Sequence, residues 1–246
     1  MINLGISLAL AAVVFVLVKL AGFPTYAGAI PATIVFLGTF VVLGRRTFTQ
    51  LQKLMGDVQN ELQKLPPNAK ERKNRVDAVV KKLEGALPLG KWQFLVEGQI
   101  YGQIGMLKYL FEDYDGAKAA FAKANPRDHY VKAMEGALAY KRKDYPAMEK
   151  SFEAAVTHGK KEGLMWATYA WCHFQLKEKD KAMKILARGV EQNPSDEKLK
   201  AALTALQNDK KLKMSAWEPA WWQFHLEPPP VQQQVMFQGG RRARYR

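Results

Sequence analysis

The sequence predicts an all-α protein: an N-terminal transmembrane helical hairpin, then an α-solenoid of about three helical repeats closed by a C-terminal capping helix. Three observations predict it. Two apolar runs without a charged side chain occupy residues 2–18 and 20–44. Three twenty-residue stretches starting at 105, 136 and 170 superimpose without a gap. The segment from Ser195 onward sets Leu199, Leu203 and Leu206 on one helical stripe and lysines on the other. The expected organisation is a hairpin over 1–46, basic juxtamembrane helices over 47–96, a repeat domain over 97–213 and an aromatic, proline-rich segment with a basic tail over 214–246.

Each apolar run is long enough to cross ~30 Å of hydrocarbon at ~1.5 Å per helical residue. Gly22, Pro24 and Gly28 break the chain between them. Lys19 and Tyr26 fall where an ammonium and a phenol sit at a membrane interface. Arg45 and Arg46 close the second run, and residues 45–96 carry 11 Lys+Arg against 5 Asp+Glu. Positive charge collects on the cytoplasmic side, so a hairpin places both termini there. The expected location is a bacterial inner (plasma) membrane, crossed twice, with the repeats in the cytoplasm. A single signal-anchor helix and a cleaved signal peptide, cut near the Ala27-Gly28-Ala29 triplet, are the alternatives. The missing basic leader and the apolar run beyond that triplet argue against cleavage. Small residues at Gly5, Ala9, Ala12, Gly28, Ala32 and Gly38 would also admit other transmembrane subunits.

Residues 47–64 and 70–86 read as two helices separated by Pro66 and Pro67. The second carries Val76, Val79, Val80 and Leu83 on one face, which leaves open an irregular first repeat or a basic stalk. Beyond them, the three aligned stretches start 31 and 34 residues apart, the spacing of a two-helix repeat. Each has a small residue followed at intervals of 12, 4 and 3 by further fixed positions: Gly105, Ala117, Phe121, Ala124; Gly136, Met148, Phe152, Ala155; Ala170, Ala182, Leu186, Gly189. Trp166 precedes the third and Pro194 follows it. Asp113 and Asp144 stand where the hairpin turns give way to the next helix.

This pattern resembles the tetratricopeptide repeat family over about residues 98–197. Met148 replaces a small residue, Pro126 comes early, and the first spacing is three residues short, which predicts a tighter loop between the first two units. The resemblance implies a stacked array whose first helices line a concave groove for a protein partner, either a helix or an extended peptide. Carried over by position, it implies a groove of Met106, Tyr109, Tyr130, Tyr140, Lys141, Trp171, Phe174 and Gln175. Met106, Ala137 and Trp171 stand where the carboxylate-gripping members of the family carry asparagine, so a chaperone-tail clamp is not expected.

The segment 215–230 holds Trp217, Trp221, Trp222 and Phe224, which in water would form an aggregation-prone patch. Docking on the repeats or at the bilayer interface resolves that. The tail ends in Arg241, Arg242, Arg244 and Arg246, suited to membrane lipid; nucleic acid is not an expected partner, because residues 97–209 are nearly neutral, with 18 Lys+Arg against 16 Asp+Glu.

No catalytic, cofactor or metal site is expected. The four histidines, His129, His158, His173 and His225, show no paired ligand spacing. The single cysteine, Cys172, excludes an internal disulfide. Phosphate-cradling glycine loops and nucleophile elbows are missing from the sequence. The expected function is a membrane-anchored scaffold or assembly factor that recruits a protein partner to a membrane-associated complex. The alternative is a structural accessory subunit held through its hairpin.

Overall fold

The computed structural model describes residues 1–228, and every regular element among them is helical. They form two units: Met1–Pro66 together with Asn74–Ile100, and Pro67–Lys73 together with the chain from Tyr101 onward.

In the first unit, α1 (Ile2–Leu20) and α2 (Thr25–Gln63) make an antiparallel hairpin. Gly22 turns the chain at φ +84°, and Pro24 opens α2 in extended conformation. A β-carbon on Gly28 would lie 3.2 Å from the Phe15 ring and 3.5 Å from its carbonyl, so this glycine lets the helices close. Both helices are long and apolar enough to cross a membrane. A soluble core helix buries such side chains, whereas Leu8, Ile34 and Val42 remain 63–66% exposed.

The second helix does not stop at Arg46. It runs unbroken for 39 residues to Gln63, so the expected boundary at 46 lies inside one helix. After Gly44 the sequence is rich in Leu, Gln, Lys and Met, which carry a helix forward, and the first breaker is the Pro66-Pro67 pair. Beyond it α3 (Ala69–Gly85) buries Val76, Val79, Val80 and Leu83, the face read from the sequence. Lys82 on that helix reaches Glu61 at 2.8 Å and Asp57 at 3.8 Å on α2. Its residues from Asn74 on therefore belong with the hairpin.

The second unit is the array. Its helices are α4 (Val96–Leu110, from Tyr101), α5 (Tyr114–Phe121), α6 (His129–Lys141), α7 (Tyr145–His158), α8 (Gly163–Gln175), α9 (Lys179–Gln192) and α10 (Glu197–Gln207). One turn recurs in every hairpin. Glu112, Lys143 and Lys177 adopt φ +65°, +60° and +66°. The next amide then donates back five residues: Asp113 to Lys108, Asp144 to Ala139 and Glu178 to His173, at 2.8–3.0 Å. This is the Schellman stop of a helix. Asp113 and Asp144 immediately cap the following helix by accepting from Gly116 and Ala147, while Asp128 and Asp196 cap α6 and α10.

The small residues of the motif are where rings enter. A β-carbon on Gly105 would lie 2.4 Å from the Phe121 ring, and one on Gly136 would lie 2.7 Å from that of Phe152. Gly189 meets Trp166 in the same way, at 2.9 Å. Phe152 also stacks on Tyr169 of the next hairpin, 5.3 Å away at 14°. The short first spacing has a different cause from the one expected. Helix α5 has only 8 residues against 14 in α7 and α9, so the second helix is truncated ahead of Pro126 and the connection is not tightened.

Candidate functional site

The residues expected to line a groove lie on the first helix of each hairpin. Met106 and Tyr109 come from α4, Tyr130, Tyr140 and Lys141 from α6, and Trp171, Phe174 and Gln175 from α8. The face is not bare. Residues after α10 return along it as two single 3-10 turns, Ser215–Trp217 and Ala220–Phe224, burying Leu212, Met214, Trp217, Trp221 and Phe224 in the core of the array.

Two groove residues carry most of this contact. Tyr109 on α4 is fully buried and donates its hydroxyl to the Phe224 carbonyl at 2.5 Å. Burial pushes its phenol well above the usual tyrosine range, so it stays a donor at any physiological pH. Trp171 on α8 meets Trp221 edge-on, with ring centroids 5.1 Å apart. Trp221 in turn donates its indole N–H to Glu227 at 3.0 Å and packs on Phe224 at 6.2 Å. Tyr140, half-buried, sits edge-on to Trp171 at 5.8 Å, and burial raises its phenol too. Lys141 is exposed; its ammonium donates to the Tyr114 hydroxyl at 2.8 Å and lies 4.7 Å over that ring. Met106 and Phe174 pack against the core half-buried, Tyr130 lies 4.8 Å from His129, and Gln175 is exposed.

One residue of the docked segment has a shifted titration. His225 lies 5.7 Å from the Tyr109 ring, and burial, then the Lys141 ammonium, hold its pKa below the usual histidine value. Glu112 opposes that shift.

A second cluster lies away from the groove. Glu149, His173 and Glu178 bring one ligand atom each to within 4.8 Å of one another. Lys181 already places its ammonium 3.1 Å from Glu149 and 3.2 Å from Glu178, while His173 Nδ1 lies 2.5 Å from Glu178. An ammonium between the carboxylates does the neutralising a metal ion would do, and the arrangement is an ion-pair network. Cys172 is wholly buried, and burial pushes its thiol up, away from reactivity.

Of the residues expected at a membrane interface, Lys19 and Tyr26 flank the hairpin turn, Arg45 and Arg46 lie at the other end of the apolar stretch, and all four are exposed. The basic tail, Arg241, Arg242, Arg244 and Arg246, lies outside the described residues.

Residues 139–206 match the family model of the tetratricopeptide repeat. These residues form a tetratricopeptide repeat region. The match runs from the end of α6 through α10, so it covers α7, the whole α8–α9 hairpin and nearly all of α10, and leaves the truncated first hairpin outside. Tetratricopeptide repeats are a protein-interaction fold. No curated protein and no solved structure matches the chain.

Proposed function

We propose that the protein is a membrane-anchored tetratricopeptide scaffold whose groove recruits a protein partner presenting an aromatic, irregular peptide. The observation that carries this reading is the docked segment itself. Tyr109 and Trp171 receive a short stretch without α-helix through ring packing and one hydroxyl-to-carbonyl hydrogen bond, with Tyr140 edge-on behind Trp171, which is how a repeat groove reads an extended ligand. The chain supplies that ligand in cis, and a partner of like chemistry takes its place. The two exposed apolar helices supply the anchor: crossing a bacterial inner membrane as a hairpin, with Arg45 and Arg46 on the cytoplasmic side, puts the repeats in the cytoplasm. No catalytic role is part of this reading.

The test is partner capture from gently crosslinked membranes. Four forms are compared: wild type, a segment-released Trp221→Ala/Phe224→Ala form, a groove form Tyr140→Glu/Trp171→Glu, and one with its hairpin exchanged for an unrelated hairpin. The scaffold reading expects more partner with the released form, little with the groove form, and retention when the hairpin is exchanged. Loss confined to the hairpin exchange would instead make the protein a structural subunit held within the bilayer.

A further inference from the structure

The connection between α3 and α4 inverts the usual order of a loop. Of residues 92–95, the three apolar ones face out: Trp92, Phe94 and Leu95 are 44%, 51% and 50% exposed. The one polar residue, Gln93, turns inward, accepting from the side-chain amide of Asn3 at 3.2 Å and lying against Gly44. Leu95 holds φ +70°, a left-handed conformation that a leucine adopts only against strain, while its carbonyl accepts from Gln99 as α4 begins.

The same loop is tied to the start of the first apolar helix. The Asn3 amide donates to the Trp92 carbonyl at 3.1 Å, and the N-terminal ammonium donates to the Lys91 carbonyl. Asn3, almost fully buried, also donates to Thr47 at 3.1 Å, one residue past Arg46. The loop is thereby fixed at the level where α1 begins and where the apolar part of α2 ends in Arg45 and Arg46.

We propose that Trp92, Phe94 and Leu95 form an interfacial anchor that enters the headgroup level of the phospholipid bilayer beside the basic end of the hairpin. The occupant follows from three features. The patch continues the exposed apolar surface of α1 and α2; it contains a tryptophan and a phenylalanine, the ring types suited to a boundary that is apolar on one side and wet on the other; and Lys91, Arg45 and Arg46 flank it, complementary to anionic headgroups. The anchor rests on the transmembrane reading of the hairpin, and its role is to hold the loop at the headgroup level, where α1 begins.

The test uses the full chain with Cys172→Ala, reconstituted into phosphatidylcholine–phosphatidylglycerol vesicles. Single cysteines at positions 34, 92, 94 and 184 are labelled with an environment-sensitive fluorophore, and quenching is read with nitroxides placed in the headgroup, the upper acyl chain or the deep acyl chain. Circular dichroism of each labelled form checks its folding. The label at 34 is expected to be quenched best by the deep nitroxide. Those at 92 and 94 are expected to be quenched best by the headgroup and upper-chain nitroxides, with a blue-shifted emission relative to 184 on α9. If 34 is quenched deeply while 92 and 94 match 184, the hairpin spans the bilayer and the anchor does not exist. If 34 is not quenched at all, the transmembrane reading itself fails and the anchor with it.

Discussion

Replacing Trp221 with alanine distinguishes a docked ligand from a piece of the repeat core. The indole is fully buried, packs against Trp171 and Phe224 at 5.1 and 6.2 Å, and donates to Glu227. Truncating a buried tryptophan costs about 3–5 kcal/mol where the surroundings cannot collapse. That loss falls on a segment held by five buried apolar side chains and one hydroxyl-to-carbonyl hydrogen bond, with no continuous helix to order its backbone. The segment should therefore leave the groove while the helices stay folded, because Phe152, Leu186 and Leu199, each wholly buried, do not depend on it for their burial within the hairpins.

Trypsin reads this directly, since Lys210, Lys211 and Lys213 lie at the entrance to the segment and wild-type docking restrains the backbone there. In the Trp221→Ala protein, cleavage at these lysines should accelerate at least tenfold at a dose that leaves residues 129–207 intact. Urea unfolding followed by circular dichroism should move by well under the ~3–5 kcal/mol of a core truncation. If the whole array instead loses the full amount in one transition, with no selective cutting, the segment is an integral layer of the core and displacement by a partner is the wrong mechanism.

Three further outcomes follow from the turn and ring geometry. Gly136→Ala should destabilise the array by up to ~2 kcal/mol, because overpacking the Phe152 ring costs ~1–3 kcal/mol while helix propensity returns ~1; urea unfolding checks it, and a gain in stability would mean that the helices do not approach closely there. Lys143→Gly should stabilise by ~0.5–1 kcal/mol, since the left-handed φ of +60° costs a non-glycine residue ~1–2 kcal/mol and glycine's freedom in the unfolded chain takes back part of it; thermal unfolding of the two proteins decides it. Docking of the segment should weaken as pH falls. His225 has a folded pKa below its unfolded value, so the released state binds the proton more readily, and stability drops as pH goes from the usual histidine range down through the depressed value, then levels off. Tryptic cutting at Lys213 between pH 7.5 and 5.5 should rise in the wild type and stay flat in His225→Gln.

Much of the fold was legible because its causes are local. The interval of 12, 4 and 3 residues in each unit is a rule about which side chains meet across one helical hairpin, and Gly105 under Phe121 and Gly136 under Phe152 are that rule in three dimensions. The turns were half visible. Asp113 and Asp144 announced themselves as caps, whereas the left-handed residues before them are Glu112, Lys143 and Lys177, types that carry no signal for positive φ, and a recurrent hydrogen bond selects them instead. The continuity of α2 past Arg46 was hidden for the opposite reason. A change from apolar to basic composition marks a change of solvent, and a helix with nothing to break it passes through such a change intact.

The face expected to form a groove was legible as a set of residues on the first helices, but not as a covered surface. Tyr109 and Trp171 follow from the register of the repeat, yet their partners Phe224 and Trp221 lie 50 or more residues further along the chain in a stretch without periodicity, so no spacing rule connects the two. Only the physical cost of leaving several large rings in water pointed to docking, and that cost does not name the surface that relieves it. The docked state also changes what the groove offers. An empty apolar groove binds any sufficiently apolar peptide, whereas one filled in cis binds only a partner whose aromatic contacts exceed those of Trp221 and Phe224. On the scaffold proposal, occupancy raises the threshold for recruitment by the free energy of docking the segment. That threshold is what Trp221→Ala lowers, and the titration of His225 adjusts it in the same direction as the pH falls.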